Sequence, residues 1–134
     1  MSPGVRLVRS AELSPAPYAY ASIVPAGSRL VFLAGACPLE KDGTTAAVGD
    51  YAGQAAQCIE TLRQALRDAG AGIEDVVSTR ILVASARRED LGDVWDVVHE
   101  AFGEHDVPST LLGVTVLGYA HQLVEIEAVA VLPA

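Results

Sequence analysis

The chain has 134 residues, and its nine Lys and Arg against seventeen Asp and Glu leave a net charge of −8. That balance argues against nucleic acid or an anionic membrane as the main partner, because both need a basic footprint. About half the residues are apolar (51%) but few are aromatic (5%), which describes an α/β core packed from small aliphatic side chains.

A chain of this length makes one domain, residues 1–134, able to bury roughly 70% of its unfolded surface. No run of eighteen apolar residues exists, and no signal-like stretch opens the chain. A soluble, cytoplasmic protein with no membrane association is expected.

In chain order, Gly4 to Val8 reads as a short strand, followed by a break at Ser14-Pro15-Ala16-Pro17-Tyr18. Tyr20 to Val24 is a second strand, turned at Pro25-Ala26-Gly27-Ser28, and Leu30 to Ala34 is an apolar run of strand length ending at Gly35. From Tyr51 the period becomes helical: Ala55, Ile59, Leu62, Leu66 and Ala69 fall in steps of four and three, with Asp50 as N-cap and Gly70 as the stop. Val76 to Val83 is a strand containing Thr79 and Arg80. Leu91, Val94, Trp95, Val98 and Phe102 form a second helical stripe, with Asp93, Asp96 and Glu100 opposite.

Two strands, Thr110 to Leu117 and Leu123 to Val131, close the chain around a turn at Gly118-Tyr119. The order β-β-β-α-β-α-β-β predicts an α+β mixed sheet with both helices packed on one face. The strands carry so few charges that the other face is expected to be covered by further subunits.

Cys37 and Cys58 fit neither a disulfide framework nor a metal-ligand spacing, and His99, His105 and His121 are scattered. No metal site and no cofactor is expected; the glycines mark turns rather than a phosphate loop.

Several pieces follow one another along the chain: Pro17-Tyr18, Leu33-Ala34-Gly35-Ala36, the helix end Leu66-Arg67-Asp68-Ala69-Gly70, the strand from Asp75 to Val83, the helix through Phe102, Pro108, and Val124-Glu125-Ile126-Glu127-Ala128. Taken together they resemble the reactive intermediate deaminase family, RidA or YjgF. The resemblance spans nearly the whole chain. It implies a chorismate-mutase-like fold, assembled as a homotrimer with small-molecule clefts between subunits. Carried over residue by residue, those clefts would be lined by Tyr18, Ala34, Gly35, Thr110, Leu111 and Glu125, with Asp96 at the helix position that is usually Asn.

Two departures from the family pattern bear on chemistry. Typical members have Pro-Ala-Arg where this chain has Pro108-Ser109-Thr110. The arginine would clasp a substrate carboxylate such as that of 2-aminoacrylate. Thr110 supplies no charge, and no Lys or Arg is expected on the adjoining strand. Likewise the usual Ser-Gly-Gln becomes Ala34-Gly35-Ala36, so a less polar pocket is expected.

Imine hydrolysis needs a water, a proton-transfer group and donors that orient the substrate. The resemblance makes Glu125 the base, with Tyr18 and the Ser109 or Thr110 hydroxyls as donors. Backbone N–H groups near Gly35 or Leu111 could hold a carbonyl oxygen. Read from the residues alone, Glu125 and Glu127 share one strand face and either point to solvent or pair with Arg80. Tyr18 and Trp95 read equally as packing residues, His99 and Asp96 as surface, and Cys37 as a residue beside the cleft rather than a nucleophile.

Three functions fit: an enzyme that hydrolyses or tautomerises an imine, enamine or other unstable metabolite, with weak or no typical 2-aminoacrylate deaminase activity; a non-catalytic trimeric metabolite binder; or a structural trimer that docks a protein.

Overall fold

The computed structural model of the protein describes residues 4–134. Strands β1 (Arg6–Val8) and β2 (Ala21–Ile23) pair antiparallel as a separate ribbon. Then follow β3 (Arg29–Phe32), α1 (Tyr51–Asp68), β4 (Val76–Val83), α2 (Arg88–Phe102), β5 (Ser109–Gly113) and β6 (Val124–Leu132). The last four strands form one sheet in the order β3-β6-β4-β5, antiparallel except for the parallel pair β4 and β5. The ribbon docks where β4 starts: β4 bulges between Val76 and Ser78, and the carbonyl of Val77 accepts a hydrogen bond from Ser22 Oγ at 2.8 Å.

The helix ends follow from capping chemistry. Asp50 takes an extended conformation and its side chain accepts from the Gly53 N–H, satisfying a donor that has no partner inside α1. At the other end Gly70 adopts φ +87°, and Ala71 N–H returns to Leu66 O at 2.8 Å. The helix α2 closes at Gly103, with φ +58°. Both helices lie on one face of the sheet. Leu62 and Leu66 of α1 and Val94 and Val98 of α2 are buried with Ile81, Val83, Val124 and Ile126 from the strands beneath. Ala69, expected in the α1 stripe, is only half-buried, while Gln54 and Cys58 complete the buried side. Each fully buried Leu or Ile here stabilises the fold by about 1.5–3 kcal/mol relative to exposure.

The strand expected over Thr110 to Leu117 is shorter. Gly113 pairs with Val83, where β4 ends, so residues beyond it have no neighbouring strand to extend. They run instead as an irregular loop in which Val116 and Tyr119 are exposed. The strand expected to run to Ala34 likewise ends at Phe32.

Strand alternation sends every second residue to the uncovered face. That face carries Leu30 and Phe32 of β3, 56% and 75% exposed, and Arg80 of β4. In register with Arg80 stand Glu127 on β6 and Thr110 on β5; in register with Leu82 stand Glu125 and Leu112.

Candidate functional site

Glu125 owes its place to an irregularity in β3. Phe32 pairs with Val129, and the next pairing is Ala36 with Ile126, so residues 33–35 span what residues 127–128 span on β6. The one extra residue is a bulge. It lays Gly35 flat against the Glu125 carboxyl: a Cβ at position 35 would stand 2.6 Å from Oε2 and 2.7 Å from Cδ. Only a residue without a side chain permits that approach.

The carboxylate accepts two hydrogen bonds on one oxygen. Cys37 Sγ donates to Oε1 at 3.2 Å, and Gln122 Nε2 donates to the same atom at 3.2 Å. Burial pushes the Cys37 thiol up to about 11, with the Glu125 hydrogen bond and charge adding to it. The thiol is therefore protonated at neutral pH and available as a donor. Gln122 is itself buried, accepting from Tyr119 N–H at 3.1 Å and donating to Val124 O at 3.0 Å. Behind it, buried Gln54 of α1 accepts from Leu123 N–H at 2.7 Å and donates to His121 O at 2.9 Å. The loop that carries Gln122 is thus tied to α1, with His121 at φ +63°.

The second group of expected site residues lies elsewhere. Tyr18 packs edge-on against Trp95 (centroids 6.2 Å apart) and against Tyr20 (5.7 Å), and Trp95 stacks on His99 at 5.6 Å. Asp96 follows Trp95 on the exposed side of α2. Among the described residues no hydrogen bond joins Tyr18 or Asp96 to Glu125. The single chain therefore joins Gly35, Cys37, Gln122 and Glu125 by contact and hydrogen bonds, and Tyr18 and Asp96 take no part in that network.

The residues after Pro108 divide between the two sheet faces. Ser109 points toward α2, sharing a hydrogen bond with Thr79 Oγ1 at 2.7 Å and donating to Val107 O. Leu111 packs against the buried core, so what it offers a ligand is backbone. Thr110 is exposed on the open face, and Ala34 is exposed beside the bulge.

One expectation is overturned. The strand adjoining Thr110 does carry an arginine: β4 lies between β5 and β6, and Arg80 stands opposite Thr110. Its guanidinium pairs on the other side with Glu127, NH1 to Oε1 at 3.3 Å. Pairing with Arg80 was one of two alternatives the residues left open for Glu125 and Glu127, but the place of Arg80 beside Thr110 was not legible, because strand order is set by long-range packing. A cavity of about 190 Å³ opens next to this pair, lined among others by Phe32, Ser78, Arg80 and Val129. Cys37 and Gln122, as partners of Glu125, were not legible either; the only signal was Cys37's place just past the glycine.

A four-stranded mixed sheet with two helices on one face is the α+β, chorismate-mutase-like arrangement. The profile of the family described as Endoribonuclease L-PSP matches residues 11–132, and the chain belongs to that family, which includes the RidA/YjgF proteins. It is similar to the Rid family protein YyfB of Yersinia pestis: 26% identity, 96% of this chain and 99% of that one covered, TM-score 0.90. A Mycobacterium tuberculosis member of the YjgF/YER057c/UK114 family is 31% identical over 96% of this chain and 100% of that one, with TM-score 0.64. A RutC family protein of Pyrococcus abyssi is 28% identical over 120 residues, 89% of this chain and 91% of that protein. No helix is long and apolar enough to cross a membrane, among the described residues.

Proposed function

We propose that this protein is a homotrimeric enzyme that hydrolyses an imine or enamine in clefts between subunits, with Glu125 as the proton-transfer group. The observation that carries the reading is the Glu125 carboxylate, pressed on Gly35 and fixed through Oε1 by Cys37 and Gln122. A surface carboxylate in a strand has no need of such a seat.

In the reaction, water attacks the carbon of the C=N bond while Glu125 takes a proton from the water and returns it to nitrogen. Glu125 then takes the hydroxyl proton of the carbinolamine and passes it to nitrogen, the C–N bond breaks, ammonia leaves and the carbonyl forms. An enamine enters this sequence as its imine tautomer, after a proton moves from nitrogen to carbon. The exposed Leu30 and Phe32 beside this face support a second chain covering it. In that assembly a neighbour's Tyr18 and Asp96 could supply polar groups that take no part in one chain's own Glu125 network.

The substrate class follows from what position 110 lacks. Thr110 offers a hydroxyl, and the nearest arginine in register, Arg80, is paired with Glu127. A small carboxylate such as 2-aminoacrylate is thus a poor substrate, and an imine held by hydrogen bonds and apolar contacts a better one. The Ser109 hydroxyl, already engaged with Thr79 and Val107, contributes nothing to binding on this face. The scarcity of free polar groups also favours, second, a trimer that binds such a metabolite without turning it over.

The experiment is ammonia release from a panel of imines with the wild-type chain and Glu125→Gln. The variant is expected to lose about 10²–10⁴-fold in kcat, the usual share of a general acid–base group, while native mass measurement shows an unchanged assembly. Equal ammonia release by the two proteins would refute the assignment.

A further inference from the structure

We propose that Cys37 is a positioning residue for Glu125: together with Gln122 it occupies Oε1, so that Oε2 is the oxygen that exchanges protons with the bound substrate. The inference rests on the reading of Glu125 as the acid–base group and goes beyond it, since it names which oxygen reacts and what holds the other.

Acceptor capacity makes the first part of the argument. A carboxylate oxygen offers two lone pairs, and both lone pairs of Oε1 are used, one by the thiol and one by the amide. The amide cannot be turned the other way. Gln122 Oε1 accepts from Tyr119 N–H and its Nε2 donates to Val124 O, so a flip would set two acceptors and two donors face to face. Among the described residues Oε2 accepts no hydrogen bond. It lies over Gly35, where a side chain would stand 2.6 Å away.

The thiol has one proton and two acceptors within reach, Glu125 Oε1 at 3.2 Å and Gly35 O at 3.5 Å. The charged and closer acceptor is the stronger partner. Cys37 is itself held from both sides. Its carbonyl accepts from Thr61 Oγ1 of α1 at 3.0 Å, and the preceding Ala36 exchanges two hydrogen bonds with Ile126, at 2.7 and 3.0 Å. The donor therefore sits on fixed backbone, and a Glu with three rotatable bonds is confined to one pose before any substrate arrives. Cys37 acts as a hydrogen-bond donor and forms no bond to substrate.

Two readouts test this independently. In the first, the ¹³Cβ signal of labelled Cys37 is titrated by NMR in a Cys58→Ala background. Its midpoint is expected near the raised value of about 11 and is expected to fall when Glu125→Gln removes the neighbouring charge. Identical midpoints with and without the carboxylate would overturn the thiol–carboxylate bond, whatever the enzyme's substrate proves to be.

The second readout is turnover of an imine that the wild-type chain hydrolyses. Cys37→Ala is expected to lower kcat by about ten- to a hundredfold, the scale of a misplaced catalytic group, with KM little changed. Cys37→Ser, which keeps a donor in the same place, is expected to restore most of kcat. A Cys37→Ala protein with wild-type kcat, or a Cys37→Ser protein as slow as Cys37→Ala, would overturn the positioning role. If instead no imine is turned over even by wild type, the proposed function fails, and the NMR titration still decides whether Cys37 holds Glu125.

Discussion

Arg80 and Thr110 stand directly opposite each other in the parallel ladder of β4 and β5, on the sheet face that the helices leave open. On its other flank Arg80 pairs with Glu127. The positive charge of this face is therefore one strand removed from position 110 and already has a partner.

Placing an arginine at position 110 in this background sets two guanidinium groups side by side. Thr110→Arg alone is expected to destabilise the fold by about 0.2–1 kcal/mol, the scale of like charges across a sheet. The double variant Arg80→Thr with Thr110→Arg removes that repulsion. It is expected to release ammonia from 2-aminoacrylate faster than either the single variant or the wild type. A double variant no faster than wild type would show that charge at 110 does not govern this substrate.

Gly35 tests the seat of the carboxylate directly. In Gly35→Ala the new methyl falls 2.6 Å from Glu125 Oε2, so the side chain of Glu125 has to swing away. A loss of about a hundredfold in imine turnover is expected, the scale of a 1 Å displacement, with the helical circular dichroism spectrum unchanged.

Phe32, 75% exposed on the open face of the single chain, reports on assembly. Wild type is expected to run as a trimer by native mass spectrometry or analytical ultracentrifugation, and Phe32→Asp to shift toward monomer at micromolar concentration. Ammonia release should fall with the trimer fraction, because the proposed cleft combines Glu125 of one chain with groups of its neighbour.

The acid limb of stability has an identified contributor. Burial opposes ionisation of Asp106, but the Arg9 hydrogen bonds, together with the Arg9 and His99 charges, outweigh it and hold the carboxyl below its ordinary value. A carboxyl depressed in the folded state stabilises above its unfolded pKa of about 3.9, and that contribution is lost as pH falls through the folded value. Urea unfolding at pH 6 down to pH 2 should show wild type losing this increment at the acid end. Asp106→Asn lacks the increment, and its stability is expected to fall less steeply there.

Core packing supplies a calibration of the fold itself. Leu62, fully buried between α1 and the sheet, is expected to cost about 2–5 kcal/mol when cut to alanine. Denaturant unfolding of Leu62→Ala measures it directly.

Much of the fold was legible because its signals are local. The steps of three and four in α1 and α2 and the alternation Val124, Ile126, Ala128, Ala130 in β6 are one-face patterns visible within a few residues. The Asp50 cap and the Gly70 stop are equally local, and the structure shows both. The separation of β1 and β2 into a ribbon and the early end of β5 were not legible, since each depends on which strand lies alongside. For the candidate site, Glu125 and Gly35 came from the resemblance. Ser109, expected in the cleft, turns to α2 because strand alternation puts it on the face opposite Thr110.

By itself, then, the sequence determined the element order and the buried faces of the helices, because periodicity and capping act over a few residues; the family, and with it the interest of Glu125, came from the resemblance of its motifs. Only the tertiary structure decided that β4 runs between β5 and β6. That placement sets Arg80 beside Thr110 and pairs it with Glu127. Only the tertiary structure, likewise, brought Cys37 to a residue 88 positions away. Strand neighbours and bulges are chosen by how the whole core packs, and no short-range pattern records that choice.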